Sequence, residues 1–229
     1  MTYQLALYGC DGIVLASDQR ELTTAGDPTI HGHGINQNNI SKIRVHSSHK
    51  LAWMFDGGSL GRIASASLGN LLENEEDLSH GAIKRALKQA ANDSFVKFPH
   101  LVRNDAYITL ATGIDSTIFR AKIMPSAFFE ITEPNHTSPI IAGQTYNLAG
   151  FIPVRYYSSK MSVDQLCSMA AYTISAAHDI DTLAIDGLDI AIYKISTGKF
   201  ELINLEQPVK LATEIDSGIR HLLFSAPQS

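Results

Sequence analysis

Thr2 stands directly after Met1, and its hydroxyl is a potential nucleophile. A threonine hydroxyl is a poor nucleophile alone and needs a base to accept its proton. If Met1 is removed, the α-amine of Thr2 can be that base, because an unperturbed α-amine has a pKa of about 8 and is partly neutral at physiological pH. The small side chain of Thr2 permits removal of Met1 by methionine aminopeptidase. By itself, a threonine at the second position predicts nothing.

Polar and glycine motifs also stand at the ends of predicted strands. Asp18 and Arg20 follow the second strand signal of the chain. Lys42 lies in the third signal, and Gly57 follows the fourth. Taken singly, each has an ordinary structural explanation as a turn, a surface ion pair, an edge lysine or a glycine before a helix. Their order along the chain and their shared position at strand ends are the informative features.

Short apolar runs bounded by turn residues predict the β-strands. The first two runs are apolar at nearly every position, which predicts a sheet that is covered on both faces. Residues 23–39 are polar and glycine-rich without periodicity, and they predict a loop. The strand signals are residues 3–8, 13–16, 40–45, 51–55, 107–112, 118–123, 128–131, 140–142, 188–195 and 200–203.

Apolar residues at helical spacing predict three helices. The first begins after Gly57, and the second follows the cap candidate Ser79. The third has the clearest start, because Ser162 and Gln165 form a capping box. The tail from Glu206 carries apolar residues at roughly helical spacing and could be a terminal helix.

The order of these elements predicts the fold class. Strands, two helices, strands, one helix and strands follow one another, without the repeated strand–helix units of a doubly wound fold. We therefore expect an α+β fold with two antiparallel sheets and helices on the outer faces, a four-layer sandwich of helix, sheet, sheet and helix. The length of 229 residues suits a single domain over residues 1–229, with residues 206–229 as a C-terminal helical extension.

Composition and charge narrow the classes of function. A net charge of -5 without a basic run argues against nucleic acid as a partner. No apolar run reaches membrane-spanning length and no secretory signal is evident, so we expect a cytoplasmic protein without a membrane partner. Cys10 and Cys167 lack the spacing of a metal site. His31 and His33 have no matching cysteine or carboxylate spacing either, so neither a metal nor a cofactor is expected.

The combination of Thr2 with three later motifs resembles the proteasome β-subunit family of N-terminal-nucleophile hydrolases. The start MTY and the phrase GIVLASDQR resemble most the bacterial proteasome homologues of the Anbu and β-proteobacterial types. The resemblance covers roughly residues 2–203, and its specific evidence lies in the first sixty residues. The three motifs are Ser17-Asp18-Gln19-Arg20, Ser41-Lys42-Ile43 and Asp56-Gly57-Gly58.

This resemblance implies a role for each matched residue. Thr2 would be the nucleophile, and a charged Lys42 would lower the pKa of its amine by like-charge repulsion. Asp18 would hold Lys42 charged and in place, and Arg20 would fix the local loop. The backbone N–H of Gly57 would stabilise the tetrahedral intermediate as an oxyanion-hole donor.

A second acidic site of the family is matched only loosely. Asp179 and Thr182 have its aspartate-x-x-hydroxyl spacing, although Asp181 competes with Asp179. Gln144 stands where the family often has a serine near the nucleophile's amine. Thr145 or a water would have to replace that hydroxyl.

The resemblance implies a threonine peptidase that forms an acyl-enzyme on Thr2 and acts inside stacked homo-oligomeric rings. Unfolded peptides would be its substrates. Because the chain has no evident ATPase motif, a separate ATPase or activator would have to unfold proteins. Two alternatives stay open: a non-catalytic ring or scaffold protein with the same fold, and an N-terminal-nucleophile amidohydrolase for small substrates. The three motifs disfavour an unrelated ligand-binding module.

Overall fold

The fold is described from a computed structural model of the chain. The structure describes residues 2–25, 34–97, 105–124, 129–143 and 147–224. The strands are β1 (Tyr3–Tyr8), β2 (Gly12–Ser17), β3 (Arg20–Ala25), β4 (Gly34–Asn39), β5 (Ile43–Val45), β6 (Leu51–Phe55), β7 (Ala106–Thr112), β8 (Thr117–Ile123), β9 (Phe129–Thr132), β10 (Ile140–Gly143), β11 (Asp189–Lys194) and β12 (Lys199–Leu202). The helices are α1 (Gly58–Glu73), α2 (His80–Lys97), α3 (Phe151–Tyr156), α4 (Val163–Ile180) and α5 (Glu206–Phe224), with 3-10 turns at Ile114–Ser116 and Leu148–Gly150.

The strands form two five-stranded sheets and one separate hairpin. The first sheet has the order β10-β1-β2-β11-β12, and the second has the order β5-β6-β7-β8-β9. Within the described residues, strands β3 and β4 form a two-stranded sheet of their own. All neighbouring strands are antiparallel, as predicted. No helix in the described ranges is long and apolar enough to cross a membrane.

Strands β1 and β2 of the first sheet are buried on both faces, which confirms that prediction. Every residue of β1 and of β2 is buried. Side chains alternate between the faces of a strand, and here they enter two different clusters. Leu5 packs with residues of α4, whereas Ala6 packs with Met54 and other residues of the second sheet. A third cluster joins α1 and α2 to the second sheet through residues such as Leu68.

Most of the predicted elements are present with bounds close to the expected ones. All the strand signals except residues 40–45 agree with observed strands to within one residue at each end. The capping box at α4 is confirmed, because Ser162 Oγ accepts from Gln165 N at 3.3 Å and Gln165 Oε1 accepts from Ser162 N at 2.9 Å. The helix expected in the tail is α5.

The prediction of a loop over residues 23–39 is wrong at both ends. Strands β3 and β4 pair from Arg20 opposite Asn39 to Ala25 opposite Gly34. A hairpin needs only backbone pairing, so a polar segment can form one without the apolar alternation by which strands are recognised. The centre of that segment lies outside the described residues, and so do His31 and His33.

Two further differences have local causes. The strand predicted over residues 40–45 is confined to β5, because Ile40 N donates to Gln19 O at 2.8 Å and the segment before β5 follows the hairpin instead. Helix α3 was not predicted. Its apolar side chains Phe151, Val154 and Tyr156 are exposed, so they form no buried stripe that would indicate a helix.

We expect Gly61→Ala in α1 to lower the free energy of unfolding by about 1–3 kcal/mol, because the added Cβ would lie 1.7 Å from Asp56 O. Gly218→Ala in α5 is the matched control. Its Cβ would meet no atom within 4 Å, so the substitution should raise stability by about 0.5–1 kcal/mol through helix propensity. Chemical denaturation of both variants measures the difference. Equal effects at the two positions would contradict the close approach.

Candidate active site

The β1–β2 hairpin brings Thr2 and Asp18 together. Gln4 pairs with Ser17 across the hairpin, so Thr2 before β1 and Asp18 after β2 lie at the same end of the sheet. Tyr3 N donates to Asp18 Oδ1 at 2.7 Å, and Asp18 N donates to Tyr3 O at 3.1 Å. The sequence separation of 15 residues between these partners is therefore closed by strand pairing.

Lys42 reaches this point from the segment before β5. Its Nζ lies 2.9 Å from Thr2 Oγ1, 2.9 Å from Asp18 Oδ2 and 2.6 Å from Arg20 O. An ammonium group has three N–H donors, and three acceptors surround this one. Thr2, Asp18 and Lys42 are 6%, 0% and 3% exposed. The structure thus places the three residues predicted as catalytic in one buried cluster.

Asp18 accepts hydrogen bonds from both sides of the cluster. Besides Tyr3 N and Lys42 Nζ, the backbone N of Arg20 donates to Asp18 Oδ2 at 3.0 Å. These bonds and the Lys42 ammonium favour the carboxylate form, but burial outweighs them and raises the pKa of Asp18. Burial likewise lowers the pKa of Lys42, against the opposing effect of the carboxylates of Asp18, Asp56 and Glu21. Lys42 therefore releases its proton more readily than an exposed lysine.

Arg20 is held by a carboxylate that the sequence analysis missed. Its Nη2 lies 2.5 Å from Asp186 Oδ2, and Asn39 Nδ2 donates to the same oxygen at 3.2 Å. The hydrogen bond from Asn39, together with Arg20, lowers the pKa of Asp186. Asp186 thus joins the start of β3, the end of β4 and the segment before β11. The sequence signal for Asp186 was its position, together with Gly187, just before the strand predicted over residues 188–195. That strand is β11, which lies next to β2 in the sheet.

Gly57 forms a turn that only glycine fits. Its φ is 87°, and a Cβ there would lie 2.4 Å from the Cβ of Ala106. The turn begins α1, whose first N–H groups have no partner within the helix. Gln4 Nε2 donates to Phe55 O at 2.8 Å and so links the strand after Thr2 to the strand before Gly57.

Gly143 at the end of β10 packs against the backbone of Thr2. It pairs with Tyr3 and has a φ of 80°, and a Cβ there would lie 1.9 Å from Thr2 O. Gln144 and Thr145 follow directly. Both residues lie outside the described ranges, so their predicted part near the amine of Thr2 stays a prediction.

Asp179 and Thr182, the loose match to the second acidic site, have no described contact with the cluster of Thr2, Asp18 and Lys42. Asp179 and Thr182 are exposed at the end of α4 and just beyond it. Among the residues that the structure describes, no hydrogen bond or ion pair connects either of them to Thr2 or Lys42. Asp181 ends α4 and accepts from Ala184 N at 3.0 Å. The role predicted for Asp179 and Thr182 therefore stays a prediction.

No cluster of metal-binding side chains was found in the described part of the chain. Groups of three or more His, Cys, Asp or Glu residues that could hold an ion are absent there.

Asp56 is a buried carboxyl to which the sequence analysis gave no role. It precedes Gly57 and is 4% exposed. Tyr107 N donates to Asp56 Oδ1 at 3.0 Å, and Asp56 N donates to Tyr107 O at 3.0 Å. Burial raises the pKa of Asp56 to about 6, although the Tyr107 N–H and the charges of Arg120 and Lys42 act in the opposite direction.

Comparison with known proteins gives structural matches only. No protein-family model and no curated protein sequence matches the chain. Anbu from Yersinia bercovieri, described as an ancestral β-subunit, matches with a TM-score of 0.72 and 16% identity over 99% of this chain and 98% of that chain. The chain has the Anbu fold. This finding confirms the predicted resemblance to bacterial proteasome homologues at the level of the fold.

Two other Anbu structures agree equally well. Anbu from Hyphomicrobium sp. strain MC1 matches with a TM-score of 0.71 and 14% identity over 99% of both chains. The Anbu complex from Pseudomonas aeruginosa, solved as a helical assembly, matches with a TM-score of 0.69 and 15% identity over 99% of this chain and 98% of that chain. The Anbu fold therefore extends over nearly the whole chain.

We expect Asp56→Asn to become more stable relative to the original chain as the pH rises. An unfolded aspartate ionises near its ordinary pKa of 3.8, whereas folded Asp56 keeps its proton up to about pH 6. The neutral form therefore favours the folded state at low pH, and this contribution is lost between these two values. The difference in unfolding free energy should change by about 2.4 kcal/mol between pH 4 and pH 7.

Denaturation at both pH values measures this change. Asp11→Asn is the control, since Asp11 also accepts a backbone hydrogen bond, from Val163 N at 2.7 Å, but is exposed in the turn between β1 and β2. The same pH dependence in both variants would contradict the expectation for Asp56.

Proposed function

We propose that this chain, after removal of Met1, is a threonine peptidase that uses Thr2 as an N-terminal nucleophile. The observation that carries the proposal is the position of Lys42 Nζ, 2.9 Å from Thr2 Oγ1 and 2.9 Å from Asp18 Oδ2 in a buried cluster. A lysine and a carboxylate are rarely buried without a specific reason. Here the lysine donates to the hydroxyl of the second residue, and the carboxylate accepts from the lysine. The Anbu fold supports the proteasome-related type.

The proposed reaction begins with the α-amine that removal of Met1 creates on Thr2. This amine accepts the proton of the Thr2 hydroxyl, and Oγ1 attacks the carbonyl carbon of a peptide bond. The resulting oxyanion accepts a hydrogen bond from Gly57 N. The ammonium then returns the proton to the leaving amine, which gives an ester on Oγ1. Water hydrolyses this acyl-enzyme with the α-amine again acting as base.

Lys42 and Asp18 adjust the charges for this chemistry. A protonated Lys42 lowers the pKa of the neighbouring α-amine and so favours its neutral, proton-accepting form. Its hydrogen bond to Thr2 Oγ1 also stabilises negative charge that develops on this oxygen. Asp18 offsets the cost of burying the ammonium, and Arg20 contributes its carbonyl oxygen to the same end.

The number of domains and the order of the layers are part of the same proposal. We propose that residues 1–229 form one domain with four layers in the order helix, sheet, sheet, helix. The three buried clusters support this order, because one joins α4 to the first sheet, one joins the two sheets, and one joins α1 and α2 to the second sheet.

We also propose that the chain forms homo-oligomers that enclose the Thr2 sites, with unfolded peptides as substrates, a separate ATPase or activator as partner, and the cytoplasm as location. The assembled Anbu complex of Pseudomonas aeruginosa supports self-association. So do the apolar side chains exposed around α3, namely Leu148, Phe151, Val154 and Tyr156. Contiguous exposed apolar groups are typical of interaction surfaces.

A peptide epoxyketone or boronate should modify Thr2 in protein that lacks Met1. Intact-mass measurement first establishes whether Met1 is absent, and the mass increase and a peptide map then locate the adduct. Thr2→Ser should still react, because it keeps a hydroxyl. Thr2→Val has nearly the shape of threonine without the hydroxyl and should not react. Lys42→Ala should react at least about tenfold more slowly, because it removes the hydrogen bond to Oγ1.

Two outcomes would count against the peptidase. An unmodified Thr2 in protein shown to lack Met1 would favour the non-catalytic ring or scaffold protein. Reaction of Thr2→Val at the rate of the original chain would place the nucleophile elsewhere.

Light scattering coupled to size exclusion should give a particle several times the chain mass of 24.9 kDa. Replacing the exposed Phe151 and Val154 by Ser should reduce the assembled fraction, since these side chains are available for contacts between subunits. The exposed Val96 on α2 replaced by Ser is the control. A particle of monomer mass that still forms the adduct would favour the small-substrate amidohydrolase.

A further inference from the structure

The turn that contains the proposed oxyanion donor depends on Asp56. We infer that Asp56 is a positioning residue of the proposed peptidase: one carboxyl oxygen fixes the turn at Gly57, and its negative charge helps to keep Lys42 protonated. This inference rests on the proposed function of Thr2 and adds to it a residue from the second sheet. Neither the motifs of the sequence nor the comparisons assign a role to this carboxyl.

The first part of the inference rests on backbone pairing. Asp56 exchanges two hydrogen bonds with Tyr107, one through its backbone N and one through Oδ1, each 3.0 Å long. Its carbonyl oxygen lies against α1 so closely that Gly61 has no room for a Cβ. The residue before Gly57 is therefore held by β7 on one side and by α1 on the other. This arrangement fixes the peptide that carries the Gly57 N–H.

The second part rests on charge and burial. Asp56 Oδ2 is buried and has no hydrogen-bond partner among the described residues, so its charge is poorly compensated locally. Phe55 N donates to Lys42 O at 3.3 Å, so Asp56 directly follows a residue whose backbone contacts Lys42. The charged groups that act on Asp56 are Arg120 of β8, Lys42 before β5 and the N-terminal amine of the chain. Arg120 also lies 4.5 Å over the ring of Tyr107, the backbone partner of Asp56. Lys42 in turn is affected by Asp18, Asp56 and Glu21.

A purely structural role for Asp56 makes a different prediction. If the carboxyl only satisfied the Tyr107 N–H, an asparagine would replace it, because the amide oxygen also accepts a hydrogen bond. If its charge also supports Lys42, then Asp56→Asn lowers the pKa of Lys42 and of the nearby Thr2 amine together. The acidic limb and the alkaline limb of the pH profile for the reaction at Thr2 should then both move to lower pH.

The experiment measures the rate of adduct formation by a peptide epoxyketone across the pH range, with protein that lacks Met1. For Asp56→Asn we expect both limbs to move down by about 0.5–1 pH unit. Asp56→Ala should in addition lower the maximum rate by roughly tenfold, because the Gly57 turn loses its anchor. Asp11→Asn, which also removes one aspartate charge but at the opposite end of β1 and β2 from Thr2, should leave the profile unchanged.

The outcomes separate the two proposals. If the original chain does not react at any pH, the peptidase proposal fails. NMR titration of the lysine side chains then still tests Asp56, since Asp56→Asn should lower the pKa of Lys42 without any need for activity. If the original chain reacts and Asp56→Asn has the same pH profile and the same Lys42 pKa, the inference about Asp56 is overturned and the peptidase proposal stands.

Discussion

The burial of one ammonium group governs the arrangement around Thr2. Moving a lysine charge out of water costs several kcal/mol unless hydrogen bonds and an opposite charge replace the lost solvent. Lys42 meets this requirement with a hydroxyl, a carboxylate and a backbone carbonyl, each from a different part of the chain. Thr2 and Asp18, at the two ends of the β1–β2 hairpin, supply the hydroxyl and the carboxylate. Arg20, at the start of β3, supplies the carbonyl oxygen. The fold can bury Lys42 only if these elements meet at one point.

The same requirement extends to residues around the three acceptors of Lys42. Arg20 must present its carbonyl oxygen at a fixed place, and its side chain is held for this purpose by Asp186 and, through Asp186, by Asn39. Gln4 joins the first sheet to the second through Phe55 O, one residue before Asp56. The hydrogen bond from Gln4 thus joins the strand after Thr2 to the strand before Gly57.

Local sequence patterns predicted most of the helices and strands. They did not predict contacts between residues far apart in the sequence. The capping box at Ser162 and the apolar strands were readable because their signals lie within a few residues. The resemblance to the proteasome β-subunit family, carried by motifs at strand ends, implied that Thr2, Asp18 and Lys42 meet. Asp186 was missed because it lies 166 residues from Arg20 and no local pattern marks such a pair. The β3–β4 hairpin was missed because its polar sequence lacks the alternation that burial produces.

The close packing of Gly143 against the carbonyl of Thr2 has a consequence for maturation. Thr2 is held through its hydroxyl, its carbonyl side and the following peptide N–H, which donates to Asp18. None of these contacts uses an atom of Met1. Cleavage of the Met1–Thr2 bond would therefore leave the framework of the site in place. In the proposed enzyme, the unprocessed chain is a latent form whose switch is covalent, and activation requires no refolding of the surrounding strands.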